Sequence, residues 1–329
     1  MVFRHTPVMV NEVLSHLNCK PGDQVADCTL GGAGHARAIL KRIQPGGVLV
    51  GIDQDSDAIR HASAVLAMEM ETAPGMDMAT KQSRIRLFHD NFQNLPHILS
   101  QIGIASLDGV LADLGLSQYQ IEASGRGFSF RQNEPLDMRM NADAETTAGD
   151  IVNASPEKRL AWIFKEYGEE RWAGRIAARI VAARADKSIR TAKELADIVE
   201  AAVPRRDAAK RKIHPATKVF MALRIAVNRE LEILDDFIID AVNCLKPGGR
   251  ICIVSFHSLE DRIVKTRFRE MEKACVCPPD FPVCVCRRQP EIRILTRKVV
   301  RPAEDEIHVN PMARSARLRA AEKLLTVST

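Results

Sequence analysis

The feature that most constrains this chain is a rhythm. Between Gln24 and Asp113 four short runs rich in aliphatic and β-branched residues, at 24–30, 48–53, 85–89 and 109–113, alternate with amphipathic patterns at 35–43, 57–71 and 95–101. Strands alternating with helices predict a parallel sheet, because parallel neighbours need a crossover between them. Another helical pattern, at 9–17, precedes the first strand, and Thr72–Ser83, with Pro74-Gly75 inside it, reads as a surface insertion.

After Asp113 the rhythm stops. A glycine-rich, polar stretch from Gly115 to Met140 leads into helical patterns at 155–167, 171–185 and 191–203, with start signals at Ser155-Pro156 and at Thr191 with Glu194. One long helix is expected over 215–245, ended by Lys246-Pro247-Gly248-Gly249, and then a very apolar strand at 250–256 resumes the sheet. The expected architecture is one α/β domain, residues 1–140 and 213–329, interrupted by an all-helical insertion at 141–212.

Of the 329 residues 46% are hydrophobic and 27% charged, which excludes a disordered or collagen-like chain. No run approaches the roughly 18 apolar residues of a membrane span, and Glu12 interrupts the start where a secretory apolar region would run, so a cytoplasmic protein is expected. The net charge of +5 says little, but its distribution says more. Residues 158–212 hold 15 Lys and Arg against 8 Asp and Glu, and residues 287–329 hold 10 against 5. Two basic segments on a chain whose remainder is acidic suggest contact with a polyanion; solvated helix faces are the plainer alternative.

The densest chemical signal is Asp27-Cys28-Thr29-Leu30-Gly31-Gly32-Ala33-Gly34-His35, a strand entering a glycine turn that opens a helix. The second strand ends in Asp53, about 20 residues on, where an acidic side chain takes the hydroxyls of a bound ribose. Arg37 stands where the third glycine of a dinucleotide loop belongs, and Asp27 would repel phosphates while suiting an ammonium group. S-adenosylmethionine is therefore favoured over NAD. Phe92 could pack on adenine or belong to the core. Asp113 ends the fourth strand, and Ser255 and His257 follow the resumed one, all at the carboxyl edge where ligands of open α/β sheets bind.

Cys275, Cys277, Cys284 and Cys286 form two C-x-C pairs. They offer four thiolates, but common zinc knuckles have two to four intervening residues and neighbours-but-one on a strand face opposite ways, so a metal-free cysteine hairpin is the plainer reading.

Taken together, the motifs resemble one family. His5-Thr6-Pro7-Val8, Gly31 to His35, Asp113-Leu114-Gly115, Arg126 to Phe130, Pro135 to Arg139, Tyr167 to Arg171, His214 to Thr217, Ser255 to Arg262 and Asn310 to Ser315 are similar to those of the RsmH/MraW methyltransferases. The resemblance runs nearly end to end. It implies a class I, Rossmann-like methyltransferase sheet with a helical insertion for RNA recognition. It further implies S-adenosyl-L-methionine as methyl donor and transfer to N4 of one cytidine in the decoding region of 16S ribosomal RNA, within the small subunit. Carried over, its cofactor contacts fall on Ala33, Gly34, His35, Asp53, Phe92, Asp113 and Gln120. Ser117-Gln118 replaces the family's usual serine pair, and Met312 stands where arginine is common. Asp113 is the leading candidate to accept the amine proton, with Ser255 and His257 behind it. A non-catalytic assembly factor for the small subunit is the rival expectation.

Overall fold

A computed structural model describes residues 7–71, 84–211, 213–278, 283, 285–286 and 288–325. The chain packs as two compact units, one from residues 1–115 with 231–329 and one from 116–230, so the second is wider at both ends than the expected insertion. The proposed surface insertion at 72–83 lies outside the described residues.

The first unit is built on strands β1 (Gln24–Asp27), β2 (Val48–Asp53), β3 (Ile85–His89), β4 (Leu107–Asp113), β5 (Leu245–Ser255), β6 (Ile292–Ile294) and β7 (Arg317–Lys323). Their order is β3-β2-β1-β4-β5-β7-β6. The first five run parallel, and β7 enters antiparallel between β5 and β6. Helices cover both faces, as they must when parallel strands are apolar on both sides. Val13, Leu17, Ile39, Leu40 and Leu66 pack with Leu111 on one face. Leu95, Ile98, Phe237, Val264 and Phe268 pack with Val110 and Ala112 on the other. The order reverses between β1 and β4, which opens a crevice beyond their carboxyl ends.

Three expectations change here. The helix expected over 215–245 is two helices, Ala216–Asn228 and Glu230–Cys244, broken at Arg229, whose φ of 53° is left-handed. No glycine marks the break. Asn228 imposes it: its amide donates to the carbonyls of Met138 and Arg224 and accepts from the Met140 N–H, all within 2.9 Å, tying the helix end to a neighbouring segment. Residues 246–249, expected to end the helix ahead of a strand at 250–256, form a bulge within β5, where Leu107 pairs with Leu245 and Gly109 with Arg250. Finally, β6 and β7 were not anticipated at all.

The second unit is helical. Leu160, Phe164, Ile176, Ile180, Leu195, Val199 and Leu223 form its core. The expected start signal at Thr191 is a capping box: its hydroxyl accepts the Glu194 N–H at 3.2 Å while the Glu194 carboxylate accepts the Thr191 N–H. That carboxylate also takes the Arg190 N–H and the Lys187 ammonium, which hold it down at about 2. No helix among the described residues is long and apolar enough to cross a membrane.

Candidate active site

The site lies in the first unit, where β1, β2 and β4 end. Asp27 closes β1 and is fully buried. Its Oδ1 accepts the Thr29 N–H at 3.2 Å, while its Oδ2 has no hydrogen-bond partner. The Thr29 hydroxyl in turn accepts the Asp113 N–H at 2.6 Å, which binds the β1 turn to the end of β4. From there the chain turns through left-handed Gly31 and Ala33 into the helix Gly34–Ile43. Asp53, ending β2, holds the turn from the side: its Oδ2 accepts the Gly31 N–H at 2.8 Å and its Oδ1 the Asp55 N–H at 2.9 Å.

Gly34 has a local reason to be glycine. A Cβ there would come within 2.6 Å of the Pro7 ring, so the entry segment sits directly on the turn. The next residue, His35, is buried and faces two ways. Its Nε2 is 2.9 Å from the Val8 carbonyl, an acceptor that only an N–H satisfies. Its Nδ1 faces Asp113 Oδ2 at 3.5 Å. In a neutral ring Nδ1 is then a lone pair, which a protonated Asp113 carboxyl would meet as a donor.

The carboxyl can hold that proton. Burial first, then the charges of Asp27 and Glu260, push Asp113 well above the usual carboxylate range. Burial likewise raises Asp27 to about 7, aided by Asp53, and Asp53 itself to about 6. Asp113 Oδ1, like Asp27 Oδ2, is buried without a hydrogen-bond partner. Buried acids crowding one another, with two unmatched acceptor oxygens, form a site made for cations and hydrogen-bond donors.

The other expected residues are placed as follows. Phe92 packs on Phe237 with the rings tilted at 56° and their centroids 4.6 Å apart, against the core. Ser255 is buried and its hydroxyl donates to the Arg317 carbonyl at 3.3 Å. His257 caps the helix Ser258–Glu272, with Nδ1 accepting the Glu260 N–H at 3.4 Å and Nε2 at 3.0 Å from the Glu260 carboxylate. Nδ1 thereby serves the cap, while the buried Nε2 makes no hydrogen bond. Gln120 belongs to the second unit, where its Oε1 accepts the Ser117 N–H at 3.0 Å in another capping box. Thr29 and Glu260 were missed as site residues by sequence reasoning. A threonine two residues after a strand-end aspartate carries no signal of its own, and Glu260 stood only inside a motif.

The seven-stranded sheet and the acid-lined crevice at its switch point define an α/β methyltransferase fold. The chain matches the model of the MraW methylase family over residues 2–324. It belongs to that family, whose methyl donor is S-adenosylmethionine. It is 54% identical over 324 residues, 98% of this chain and 100% of the other, to a protein of Desulfosudis oleivorans named ribosomal RNA small subunit methyltransferase H. A protein of the same name from Clostridioides difficile is 45% identical over 327 residues, again 98% of this chain and 100% of the other. Among solved structures, an rRNA methylase from Streptococcus thermophilus superposes with a TM-score of 0.40 at 10% identity, covering 96% of this chain and 95% of that one.

The residues present fit the cofactor. The unmatched oxygens of Asp27 and Asp113 suit its ammonium and sulfonium charges, and Asp53 stands at the strand end from which a carboxylate takes ribose hydroxyls.

Proposed function

We propose that the chain methylates the exocyclic N4 of a cytidine in the decoding region of 16S ribosomal RNA, within the small subunit. The observation that carries the chemistry is Asp113 Oδ1, a buried acceptor without a partner at the end of the fourth strand. An exocyclic amine is a hydrogen-bond donor whose lone pair is delocalised into the ring. An acceptor beside it favours the pyramidal nitrogen that attacks, and in its ionised form can take the proton released afterwards.

S-adenosylmethionine supplies a methyl group activated on a sulfonium. The chain supplies alignment and charge. Asp27 and Asp113 hold the cationic end, Asp53 takes the ribose, and Ala33 and Gly34 form the turn beneath. Phe92 is assigned to the adenine, and Gln120 is assigned to the cofactor by family resemblance. His35 positions Asp113 and shares its proton. Ser255 and His257 keep supporting roles, since the Ser255 hydroxyl is engaged in the β5–β7 pairing and the His257 Nδ1 in the helix cap. Methylation at C5 of cytosine would need a cysteine nucleophile; Cys28 is the cysteine of this turn, and burial raises its thiol well above the ordinary range.

RNA recognition is assigned to the second unit. Arg159 lies 4.5 Å over the ring of Trp162, which is 42% exposed and packs edge-on against Tyr167 at 5.1 Å. An exposed ring backed by arginine is a stacking platform for an unpaired base. Transfer of labelled methyl to small-subunit RNA, run on free RNA and on assembled particles, tests the proposal. Incorporation that Asp113→Asn abolishes supports it. Cofactor-independent binding to particles with no incorporation would instead favour the assembly factor.

A further inference from the structure

Between the helix Ser258–Glu272 and β6 the chain makes an excursion that the methyltransferase chemistry does not use. It is closed at its base, where the Glu291 N–H donates to the Met271 carbonyl at 2.9 Å and the Arg288 guanidinium to the Glu270 carbonyl. Along 272–291 no described residue is buried, and Val276, Val283 and Val285 stand 55%, 70% and 65% exposed. The described residues of the segment form no apolar core. Even so, the Sγ atoms of Cys275, Cys277 and Cys286 all lie within 4.8 Å of one another.

We propose that these three thiolates bind a structural zinc ion. The Cys275 and Cys286 sulfurs are 3.8 Å apart, far beyond a disulfide bond. Two sulfurs on a tetrahedral zinc, each about 2.3 Å from the metal, are separated by about 3.8 Å. Backbone amides already point at the sulfurs: the Cys277 N–H donates to Cys275 Sγ and the Val285 N–H to Cys277 Sγ, each at 3.4 Å. Such bonds stabilise the charge of a thiolate and orient it toward a metal. The objection from spacing falls away, because Cys275, Cys277 and Cys286 lie outside the strands and their sulfurs converge. Cys284 lies outside the described residues, and the proposal rests on the other three.

The ion would do here what a core does elsewhere, closing a segment too small to bury its own apolar surface. The test is metal analysis of the full chain, purified reduced and without chelator. About one zinc per chain is expected, released by a thiol-modifying mercurial and lost in the double variant Cys275→Ser, Cys286→Ser. Cobalt exchanged into the wild-type protein should show thiolate charge-transfer and tetrahedral ligand-field bands, a readout that does not depend on the variant folding. Substoichiometric zinc together with no such cobalt spectrum would overturn the proposal, as would zinc retained by the double variant.

Discussion

In the proposed site, Asp27 and Asp113 would serve binding at the expense of the empty fold. Asp27 holds a proton up to about pH 7, whereas an unfolded chain releases it near pH 4. Its raised pKa therefore favours the native state fully below about pH 4, and that contribution is lost as pH rises through 7. Asp27→Asn should stabilise the cofactor-free protein at pH 8, by roughly 2 kcal/mol, and much less at pH 4.5. The same change should weaken S-adenosylmethionine binding by about tenfold or more, since a charge-assisted contact is lost. Thermal melts at the two pH values and a titration of the cofactor check both halves. A cation held beside Asp27 and Asp113 must also lower their pKa values. Cofactor binding at pH 7 is thus expected to release protons, seen as a dependence of the calorimetric heat on buffer ionisation enthalpy. These aspartates were legible in the sequence because strand ends and a glycine turn announce themselves. The approach of His35 to Asp113 was not, since it depends on a ring whose other nitrogen is fixed by Val8.

Among the elements, the parallel strands were legible because aliphatic runs between turn residues have few other uses. The pair β6 and β7 was hidden for a physical reason: β7, with the sequence RLRAAEK, shows no alternation, being paired on both sides and buried through Leu318–Ala321. The helix break at Arg229 was equally silent, because its cause is a set of side-chain bonds to residues about 90 positions away. Asn228→Ala removes three hydrogen bonds and leaves a backbone N–H and a carbonyl unmatched, and should cost about 2–3 kcal/mol in a denaturant melt. Thr191→Ala should cost about 1 kcal/mol through loss of its cap.

For the whole molecule, the charge map needed the structure most. The basic carboxyl-terminal segment is partly internal: Arg317 and Arg319 pair with Asp261, and Arg293 pairs with Glu322. In the second unit Arg211 is no free cation either, forming a two-pronged pair at 2.7 and 2.8 Å with buried Glu170. Arg211→Ala should cost about 3 kcal/mol of stability by stranding that carboxylate. Arg205, Arg206 and Lys210 remain exposed, and neutralising those three should weaken RNA binding and flatten its salt dependence while leaving cofactor affinity unchanged. Lys212, from the same basic run, lies outside the described residues. The acid-lined crevice is proposed to transfer methyl to a cytidine amine. The most direct measurement is nucleoside analysis by mass spectrometry of small-subunit RNA after reaction with isotopically labelled S-adenosylmethionine. Label is expected in N4-methylcytidine, at a single position in the decoding region. Label at C5 of cytosine or on another base, or none from a protein that binds the cofactor, would contradict it.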